Sequence, residues 1–351
     1  MQATRLLLLG GGHAHALALL RLRNFISRNL QVTLVSPGPA HTYSGMVPGV
    51  IAGHYSAANA QIGLARLAAG AGAELKLGEV RRLDADAKQV ELSSGETLDY
   101  DVVSLNLGSM PEGAGARAIA VKPFDRFIAR WRELLDGGPR APRVAVAGAG
   151  AGGVEIAMAM KFALDRRGTG GSVALFSERN DFSPALAARI RRALALLSIE
   201  LRPHTLAAPD EPGFDALFWV TGASALPLLR ESGVKTDGRG FALVDASLRS
   251  VSHPDVFAAG DNATLLGAAL PKSGVYAVRQ GAVLAKNLKR IVRGMPMLDY
   301  VPQKAGLSLI SCGGKYAIAS RGGWSAEGRW AWWWKDWLDR RWVAKFNQAG
   351  I

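Results

Sequence analysis

Cysteine is the scarcest residue type in this chain. The 351 residues include a single cysteine, Cys312, so no disulfide can form within one chain, which fits a reducing compartment. Long apolar runs are also missing. Four consecutive leucines precede the first glycines, too few for a signal peptide, and no later stretch reaches the length of a transmembrane helix. We therefore expect a cytoplasmic protein, either free in the cytoplasm or peripheral on the cytoplasmic membrane face.

Acidic side chains are outnumbered. There are 29 of them against 42 lysines and arginines, which gives a formal net charge of +13. Such a balance favours anionic partners, namely nucleotides, nucleic acids or acidic lipids. Because no uninterrupted basic run exceeds two residues, the sequence argues against a nucleic-acid-binding tail. The length indicates about two domains.

One pattern occurs twice. In "TRLLLLGGGHAHALALLRLRN" an apolar strand is followed by glycines and then by a helical pattern, and "QVTLVS" at 31–36 supplies the next strand. "RVAVAGAGAGGVEIAMAMK" at 143–161 repeats this order, with "SVALFSE" at 172–178 after it. Apolar strands that alternate with helices are typical of parallel sheets. The sequence predicts an α/β protein with two Rossmann-like dinucleotide-binding domains.

The second copy contains the complete glycine motif. Gly148, Gly150 and Gly153 match G-x-G-x-x-G between strand and helix. The first glycine permits the tight turn, the second lets the backbone approach a pyrophosphate, and the third allows close helix–strand packing. Backbone N–H groups at the helix start then face the anion. We predict a cofactor-binding turn here.

The first copy departs from the motif at its third position. Gly10 and Gly12 fit, but His15 stands where the third glycine belongs. That position affects packing more than phosphate contact, so we expect a working turn with a wider helix approach. Ser36 ends the following strand, where an acidic residue often holds a ribose, and this leaves ribose binding at Ser36 open.

Two histidines in the first copy raise the question of a metal. His13 and His15 are two residues apart and point to different faces of a helix, and no H-E-x-x-H pattern follows. We therefore expect no metal site. His13 either lies beside the cofactor or packs in the core.

Further segments resemble a known superfamily. "HPDVFAAGDNAT" at 253–264, with Gly260 and Asp261, resembles the second FAD motif of flavoproteins with two dinucleotide-binding domains. "LDYDVVSLNLGSMP", which includes Gly108, and "FDALFWVTGASALP" resemble their crossings between domains. The resemblance implies FAD and NAD(P)H as cofactors, with Gly108 and Gly260 beside the cofactor and Asp261 on the ribitol hydroxyls.

Within that superfamily, the chain resembles type II NADH dehydrogenases and sulfide:quinone oxidoreductases over nearly its full length. "HTYSGMVPGVIAGHY" and "PKSGVYAVRQGAVLAKNL" are most similar to a subfamily also found fused to selenide, water dikinase. The disulfide reductases and the sulfide:quinone oxidoreductases both require more than one cysteine. The lone Cys312 therefore excludes both of those chemistries.

The resemblance also indicates catalytic candidates. Glu155, in "GGVE", matches a glutamate near the flavin–nicotinamide junction of type II NADH dehydrogenases, although a carboxylate at a helix start is also stabilised by the helix dipole alone. Lys272, in "PKSG", resembles a lysine near the flavin of sulfide:quinone oxidoreductases, where a cation would stabilise the reduced ring. Tyr43 and Pro48 either line the flavin or only shape a loop.

The strand after the second motif bears on nucleotide choice. It ends in Ser177, Glu178 and Arg179. An acid at this point favours the ribose of NADH, whereas serine with arginine accepts the 2′-phosphate of NADPH. We predict weak discrimination with a slight preference for NADH.

The predicted organisation is a split FAD domain, an inserted domain and a tail. The FAD domain comprises residues 1–117 and 251–305, the NAD(P)H domain 118–250 and the tail 306–351. Six of the nine tryptophans fall between Trp330 and Trp342. Four apolar residues there lie three or four apart on one helical stripe: Trp330, Trp334, Trp337 and Leu338. The stripe either docks in the core or contacts an anionic membrane surface or a second copy of the chain.

These inferences lead to one leading function and two alternatives. The leading hypothesis is an FAD-dependent NAD(P)H:quinone oxidoreductase on the cytoplasmic membrane face. The first alternative is a soluble NAD(P)H-dependent reductase or oxidase of a small acceptor such as a sulfur or selenium compound. The second is a redox-sensing flavoprotein with little turnover.

Overall fold

The computed structural model describes residues 3–27, 29–168, 170–178, 182–205, 207–208, 211–303 and 306–348. Its α-helices are α1 His13–Leu22, α2 Val47–Ile51, α3 Leu64–Ala71, α4 Phe124–Gly137, α5 Ala151–Arg167, α6 Pro184–Leu196, α7 Leu228–Glu231, α8 Gly274–Val292 and α9 Arg329–Asn347.

The strands alternate with these helices along most of the chain. As far as residue 120 they are β1 Thr4–Leu9, β2 Leu30–Ser36, β3 Ala40–Thr42, β4 Gln61–Gly63, β5 Glu74–Leu77, β6 Val80–Asp84, β7 Gln89–Leu92, β8 Thr97–Asp99, β9 Val102–Leu105, β10 Met110–Pro111 and β11 Ile119–Ala120. After it they are β12 Arg143–Ala147, β13 Ser172–Ser177, β14 Glu200–Pro203, β15 Ala216–Trp219, β16 Ala223–Ser224, β17 Ala242–Val244, β18 Val256–Ala258, β19 Ala263–Leu265, β20 Ser308–Ser311, β21 Ala317–Arg321 and β22 Trp324–Gly328.

The first parallel sheet has the order β18-β9-β1-β2-β5. Its central strand, β1, is apolar along its last four residues, and all four are buried. Such continuous burial is what a parallel sheet covered on both faces requires. Because β18 pairs with β9, a segment beyond residue 250 shares this sheet with the N-terminal part of the chain.

The second parallel sheet has the order β11-β15-β12-β13-β14. It repeats the arrangement of the first sheet, since β12 runs into a glycine turn and then into α5. Helix α5 is followed by Gly168, whose left-handed φ of 62° is typical of the residue that ends a helix. These two sheets with their helices confirm the predicted α/β class and the Rossmann-like architecture.

Smaller sheets join and extend the two large ones. β10 and β16 form an antiparallel pair where the chain crosses between them. The C-terminal part of the chain begins with the three-stranded antiparallel sheet β20-β21-β22 and continues into α9. Helix α1 packs along α8 beside the first sheet. We propose the boundaries 1–117, 118–250, 251–305 and 306–351 for the domains and the tail.

Candidate active site

The first glycine turn connects β1 to α1 at the carboxyl edge of the first sheet. Gly10 has a φ of 91°, and a Cβ atom built on it would lie 2.4 Å from the backbone oxygen of Asn106. A side chain is therefore excluded there by both conformation and space. Helix α1 begins directly after this turn, and a helix start after a glycine turn is where dinucleotide-binding domains hold a pyrophosphate.

Asn106 holds this turn in place, and sequence inspection missed it. Its Oδ1 accepts hydrogen bonds from the backbone N–H groups of Ala14 (3.1 Å) and His15 (3.3 Å). Its Nδ2 donates to the backbone oxygen of Ala259 at 2.7 Å. One side chain thus caps α1 and ties it to the end of β18, which carries the second predicted FAD motif.

His15 replaces the third glycine with a pair of hydrogen bonds. Its Nδ1 lies 2.7 Å from the backbone oxygen of Gly10, and its Nε2 lies 2.8 Å from Oγ of Ser104. Because a carbonyl oxygen only accepts, Nδ1 must carry the proton. Burial lowers the pKa of His15 to about 4, so the ring is uncharged at neutral pH and Nε2 accepts from the Ser104 hydroxyl.

The second FAD motif lies against the same turn. Gly260 has a φ of 79°, and its N–H donates to Oε1 of Gln280 at 2.7 Å. The neighbouring Asp261 accepts hydrogen bonds at Oδ2 from Nζ of Lys122 (2.7 Å) and from Oγ of Ser109 (3.3 Å). The carboxylate predicted to contact the ribitol is therefore paired with a lysine from the crossing between the sheets.

Two imidazoles face this region. The rings of His13 and His41 are 5.0 Å apart, and Tyr43 lies 5.3 Å from His13. Among the described residues, neither Nε2 atom has a hydrogen-bond partner, although both atoms are buried. Burial lowers the pKa of His13 to about 3 and that of His41 to about 4, so both rings are uncharged at neutral pH. His41 was not predicted from the sequence.

The remaining FAD-side predictions lie around the same edge. Ser36 is buried at the end of β2, next to the end of β1. Gly108 has a φ of 81°, and no described atom lies within 4 Å of the Cβ position built on it, so it borders open space. Pro48 is buried at the start of α2, beside a small cavity of about 10 Å³ that Tyr55 and Lys335 also line.

The second glycine turn has the tight packing that the motif requires. Gly148 has a φ of 101°, and a Cβ on it would meet the backbone oxygen of Val220 at 2.5 Å. A Cβ on Gly153 would lie 1.7 Å from the backbone oxygen of Gly148, whereas Gly150 opens to space. At the end of the next strand Glu178 is exposed. Arg179, its predicted competitor for the ribose, lies outside the described residues.

Glu155 is brought into contact with the C-terminal part of the chain. Its Oε1 accepts hydrogen bonds from the backbone N–H (2.8 Å) and Oγ (3.0 Å) of Ser311. Burial raises the pKa of Glu155, and Lys335 and the Ser311 hydrogen bonds offset part of that rise. Lys335 is on α9. Burial opposes its charge, but Glu155 and Asp339 outweigh burial and raise the pKa of Lys335.

Lys335 and Asp339 extend this contact toward the FAD side. Nζ of Lys335 donates to Oδ2 of Asp339 and to the backbone oxygen of Gly45, each at 2.8 Å. Oδ1 of Asp339 accepts from the Tyr43 hydroxyl at 3.2 Å, and Tyr43 in turn contacts His13. Sequence analysis did not single out Lys335, because Gly45 and Glu155, two of the residues with which it interacts, are far away in the chain.

Lys272, the other predicted catalytic residue, lies beside β19 and not beside Glu155. Its Nζ donates to the backbone oxygen of Ala263 and to Oγ1 of Thr264 (3.0 Å), and it lies 4.0 Å from the Phe241 ring centroid. Burial lowers the pKa of Lys272 to about 8. It lines a cavity of about 170 Å³ whose wall includes Gly260 and Asp261. Lys272 therefore approaches the second FAD motif, with its ammonium held by β19.

Helix α9 has an inner and an outer face. Trp332 and Phe346 are buried, and Asn347 bonds to the backbone of Gln61 and Gly63. Five apolar residues are instead between 37% and 53% exposed: Trp330, Trp333, Trp334, Trp337 and Leu338. The predicted stripe of Trp330, Trp334, Trp337 and Leu338 thus lies on the outer face, and the guanidinium of Arg341 covers the Trp337 ring at 5.1 Å. No helix within the described ranges is long and apolar enough to cross a membrane.

The site fits a flavin nucleotide on the observations above. A side chain is excluded at Gly10, α1 begins directly after the glycine turn, and two buried imidazole nitrogens lack partners within the described part of the chain. No group of three or more His, Cys, Asp or Glu able to hold a metal ion occurs among the residues described. These donors suit a cofactor rich in phosphate, hydroxyl and carbonyl groups.

Comparison with known proteins assigns the family. The pyridine nucleotide-disulphide oxidoreductase family matches residues 4–281, which include both glycine turns and the Gly260–Asp261 motif. The chain belongs to this family of oxidoreductases. FAD and NAD(P)H are its cofactors, as the sequence predicted.

Relatives and solved structures agree with this assignment. An NADH dehydrogenase-like protein of Mycobacterium tuberculosis is 31% identical over 214 residues, which are 52% of this chain and span only about half (53%) of that relative. A type II NADH:quinone oxidoreductase of Staphylococcus saprophyticus is 23% identical, over 99% of this chain and 97% of that protein. The recognised resemblance to type II NADH dehydrogenases is thereby confirmed.

Two solved structures share the fold. The sulfide:quinone oxidoreductase of Aquifex aeolicus superposes with a TM-score of 0.80 at 17% identity, over 99% of this chain and 92% of that one. The water-forming NADH oxidase of Lactobacillus brevis has a TM-score of 0.73 at 21% identity, over 91% and 75% of the two chains. One is named for a quinone and the other for the formation of water, so this fold serves more than one electron acceptor.

Proposed function

We propose that this protein is an FAD-dependent NAD(P)H dehydrogenase that passes electrons to a quinone at a membrane surface. The observation that supports it most strongly is the partly buried hydrogen bond of Glu155 with Ser311, beside which the charge of Lys335 lowers the pKa of Glu155. It connects the start of α5, which follows the NAD(P)H turn, to α9, whose outer face carries the exposed tryptophans. Relatives named type II NADH:quinone oxidoreductase support the same acceptor.

The residues divide the work as follows. The N-termini of α1 and α5 bind the two pyrophosphates, and Asp261 holds the ribitol. When bound, the flavin supplies the electron transfer between nicotinamide and acceptor. A quinone that accepts two electrons also needs two protons, and a hydride donor provides only one. Glu155 and Lys335 are both partly buried and their charges interact, so they can hold and deliver the second proton.

Substitution of Lys335 tests this role. In Lys335→Met we expect flavin reduction by NADH to keep its rate, because hydride transfer does not use Lys335. Reoxidation by a quinone should slow by about 100-fold, a typical contribution of a positioned acid or base. Stopped-flow absorbance measures the two half-reactions separately. Lys315, a lysine outside this contact, provides the matched control Lys315→Met. Unchanged reoxidation in Lys335→Met would contradict the proposed proton delivery.

The outer face of α9 is proposed as the membrane contact. Lys335 pairs with Asp339 and Arg340 with Asp336, which leaves Arg329, Arg341 and Lys345 to give the helix a net charge of +3. Each such charge adds roughly 1 kcal/mol of attraction to an anionic leaflet. Tryptophan rings favour the headgroup level, where ring and N–H are both satisfied.

Vesicle binding tests the membrane contact. Because the inner face of α9 packs in the protein, deleting the helix would disturb the fold, so point substitutions are preferable. We expect Trp333→Gln with Trp337→Gln to abolish salt-sensitive binding to anionic vesicles and to leave the FAD content unchanged. If binding persists while dimerisation is lost, this face is instead a contact between two copies of the chain, and the membrane proposal is wrong.

A further inference from the structure

We propose that His13 and His41 are direct hydrogen-bonding contacts of the FAD cofactor, added by this chain to what the glycine turn provides. The proposal rests on the proposed function only in requiring that FAD is bound. It names two side chains outside the glycine and Gly260–Asp261 motifs as determinants of flavin affinity.

In the described part of the chain, two ring nitrogens are buried without a hydrogen bond, which costs free energy. The buried Nε2 atoms of His13 and His41 lack a partner among the residues described. A buried polar atom without a hydrogen bond costs about 1–3 kcal/mol. Two such atoms side by side are rare in a folded protein unless a ligand or water completes them.

The two Nε2 atoms lie close to the parts of the chain predicted to bind FAD. His13 is the first residue of α1, directly after the turn formed by Gly10 and Gly12. Its Nε2 is 3.7 Å from the Cβ position built on Gly274, the first residue of α8. Its charged neighbours are Asp261 and Lys122, and those of His41 are Asp125 and Lys122. The two rings therefore stand where the glycine turn, the Asp261 motif and the start of α8 converge.

A neighbouring histidine, His15, differs from His13 and His41 in its hydrogen bonds. His15 is also buried, but both of its ring nitrogens have partners: Nδ1 bonds to Gly10 and Nε2 to Ser104. The protein can therefore provide hydrogen-bond partners for both nitrogens of a histidine buried in this region, and it does so for His15. An uncharged imidazole nitrogen either donates or accepts, and FAD offers carbonyl, N–H and hydroxyl groups to match either case.

Replacing either histidine by leucine should weaken FAD binding without lowering the stability of the FAD-free protein. We expect His13→Leu and His41→Leu each to weaken FAD binding about 5- to 10-fold, the effect of one lost hydrogen bond. The thermal midpoint of the FAD-free protein should stay the same or rise, because an unsatisfied polar atom is removed. His15→Leu, the control, should lower that midpoint. His13→Gln keeps a hydrogen-bonding group and should bind FAD within about 2-fold of wild type.

The readouts are FAD fluorescence titration of the FAD-free protein and its thermal midpoint. Wild-type affinity in both leucine variants would overturn the proposal. So would a midpoint that falls as far as in His15→Leu, because the rings would then be structural. If instead the wild type binds FAD but no nicotinamide nucleotide reduces it, the proposed function fails while this inference stands.

Discussion

The two glycine turns solve the same packing problem in different ways. In the second turn, the space beside Gly148 is so narrow that only glycine fits at Gly153. In the first turn, His15 occupies the corresponding position and bonds to the turn itself. The second turn is held by shape and the first by hydrogen bonds from buried, uncharged side chains. The two halves of the protein should therefore respond differently to acid and to mutation.

Acid should have the largest effect, and it should act on the first turn. Burial lowers the pKa of His13 to about 3 and of His15 to about 4, from 6.5 in the unfolded chain. Their stabilisation is complete above pH 6.5 and is lost as the pH falls toward 4, because the unfolded chain binds the protons first. Between pH 7 and 5 each should cost about 2 kcal/mol of the free energy of unfolding.

Urea titration of the FAD-free protein at pH 7 and pH 5 measures this loss. The variant His13→Leu should lose about 2 kcal/mol less than wild type over the same interval. An equal loss in both proteins would mean that His13 is not the group that titrates.

Restoring the motif in the first turn should be the next largest effect, and it should be harmful. His15→Gly removes the imidazole, leaves Ser104 and the Gly10 carbonyl without their partner, and puts glycine into a helix. We expect a loss of about 3 kcal/mol in unfolding free energy. Chemical denaturation at pH 7 would show it. A variant as stable as wild type would mean that His15 is dispensable and that the two turns are equivalent.

In the second turn, the corresponding test is to add a side chain at the third glycine. In Gly153→Ala the new methyl group would meet the Gly148 carbonyl, and α5 must move away from β12. We expect a cost of about 2 kcal/mol and a weaker NAD(P)H affinity, with FAD affinity unchanged. Titrations with both nucleotides would separate the effects, and Gly152→Ala, whose new methyl group would meet only the Val220 side chain at 3.9 Å, is the matched control. Loss of FAD instead would show that the two sites are not independent.

Nucleotide choice should be the smallest effect. Glu178 is exposed at the end of β13, where a carboxylate accepts the ribose hydroxyls of NADH. Glu178→Ala should lower the ratio of kcat/KM for NADH over NADPH by about 3- to 5-fold, the value of one exposed hydrogen bond. Steady-state kinetics with both nucleotides would decide. An unchanged ratio would place the discrimination on another residue.

Sequence reasoning succeeded where the determinants are local. Apolar strands, the glycines and the Gly260–Asp261 pair are contiguous patterns, and they predicted the parallel sheets, the family and the cofactors. It missed Asn106, Lys122, His41 and Lys335, because each acts on a residue far away in the chain. It also left the tryptophans between core and surface. Helix α9 has one buried and one exposed face. Which residues lie on each face depends on the sheet against which the helix packs.

The central claim is that electrons pass from a nicotinamide nucleotide through FAD to a quinone. The most direct measurement mixes the FAD-loaded protein with NADH in a stopped-flow instrument without oxygen, and then with a quinone. We predict loss of the flavin absorbance within the first mixing and its return within the second, faster than oxygen alone restores it. A flavin that NADH and NADPH both fail to reduce, or that a quinone does not reoxidise, would contradict the account.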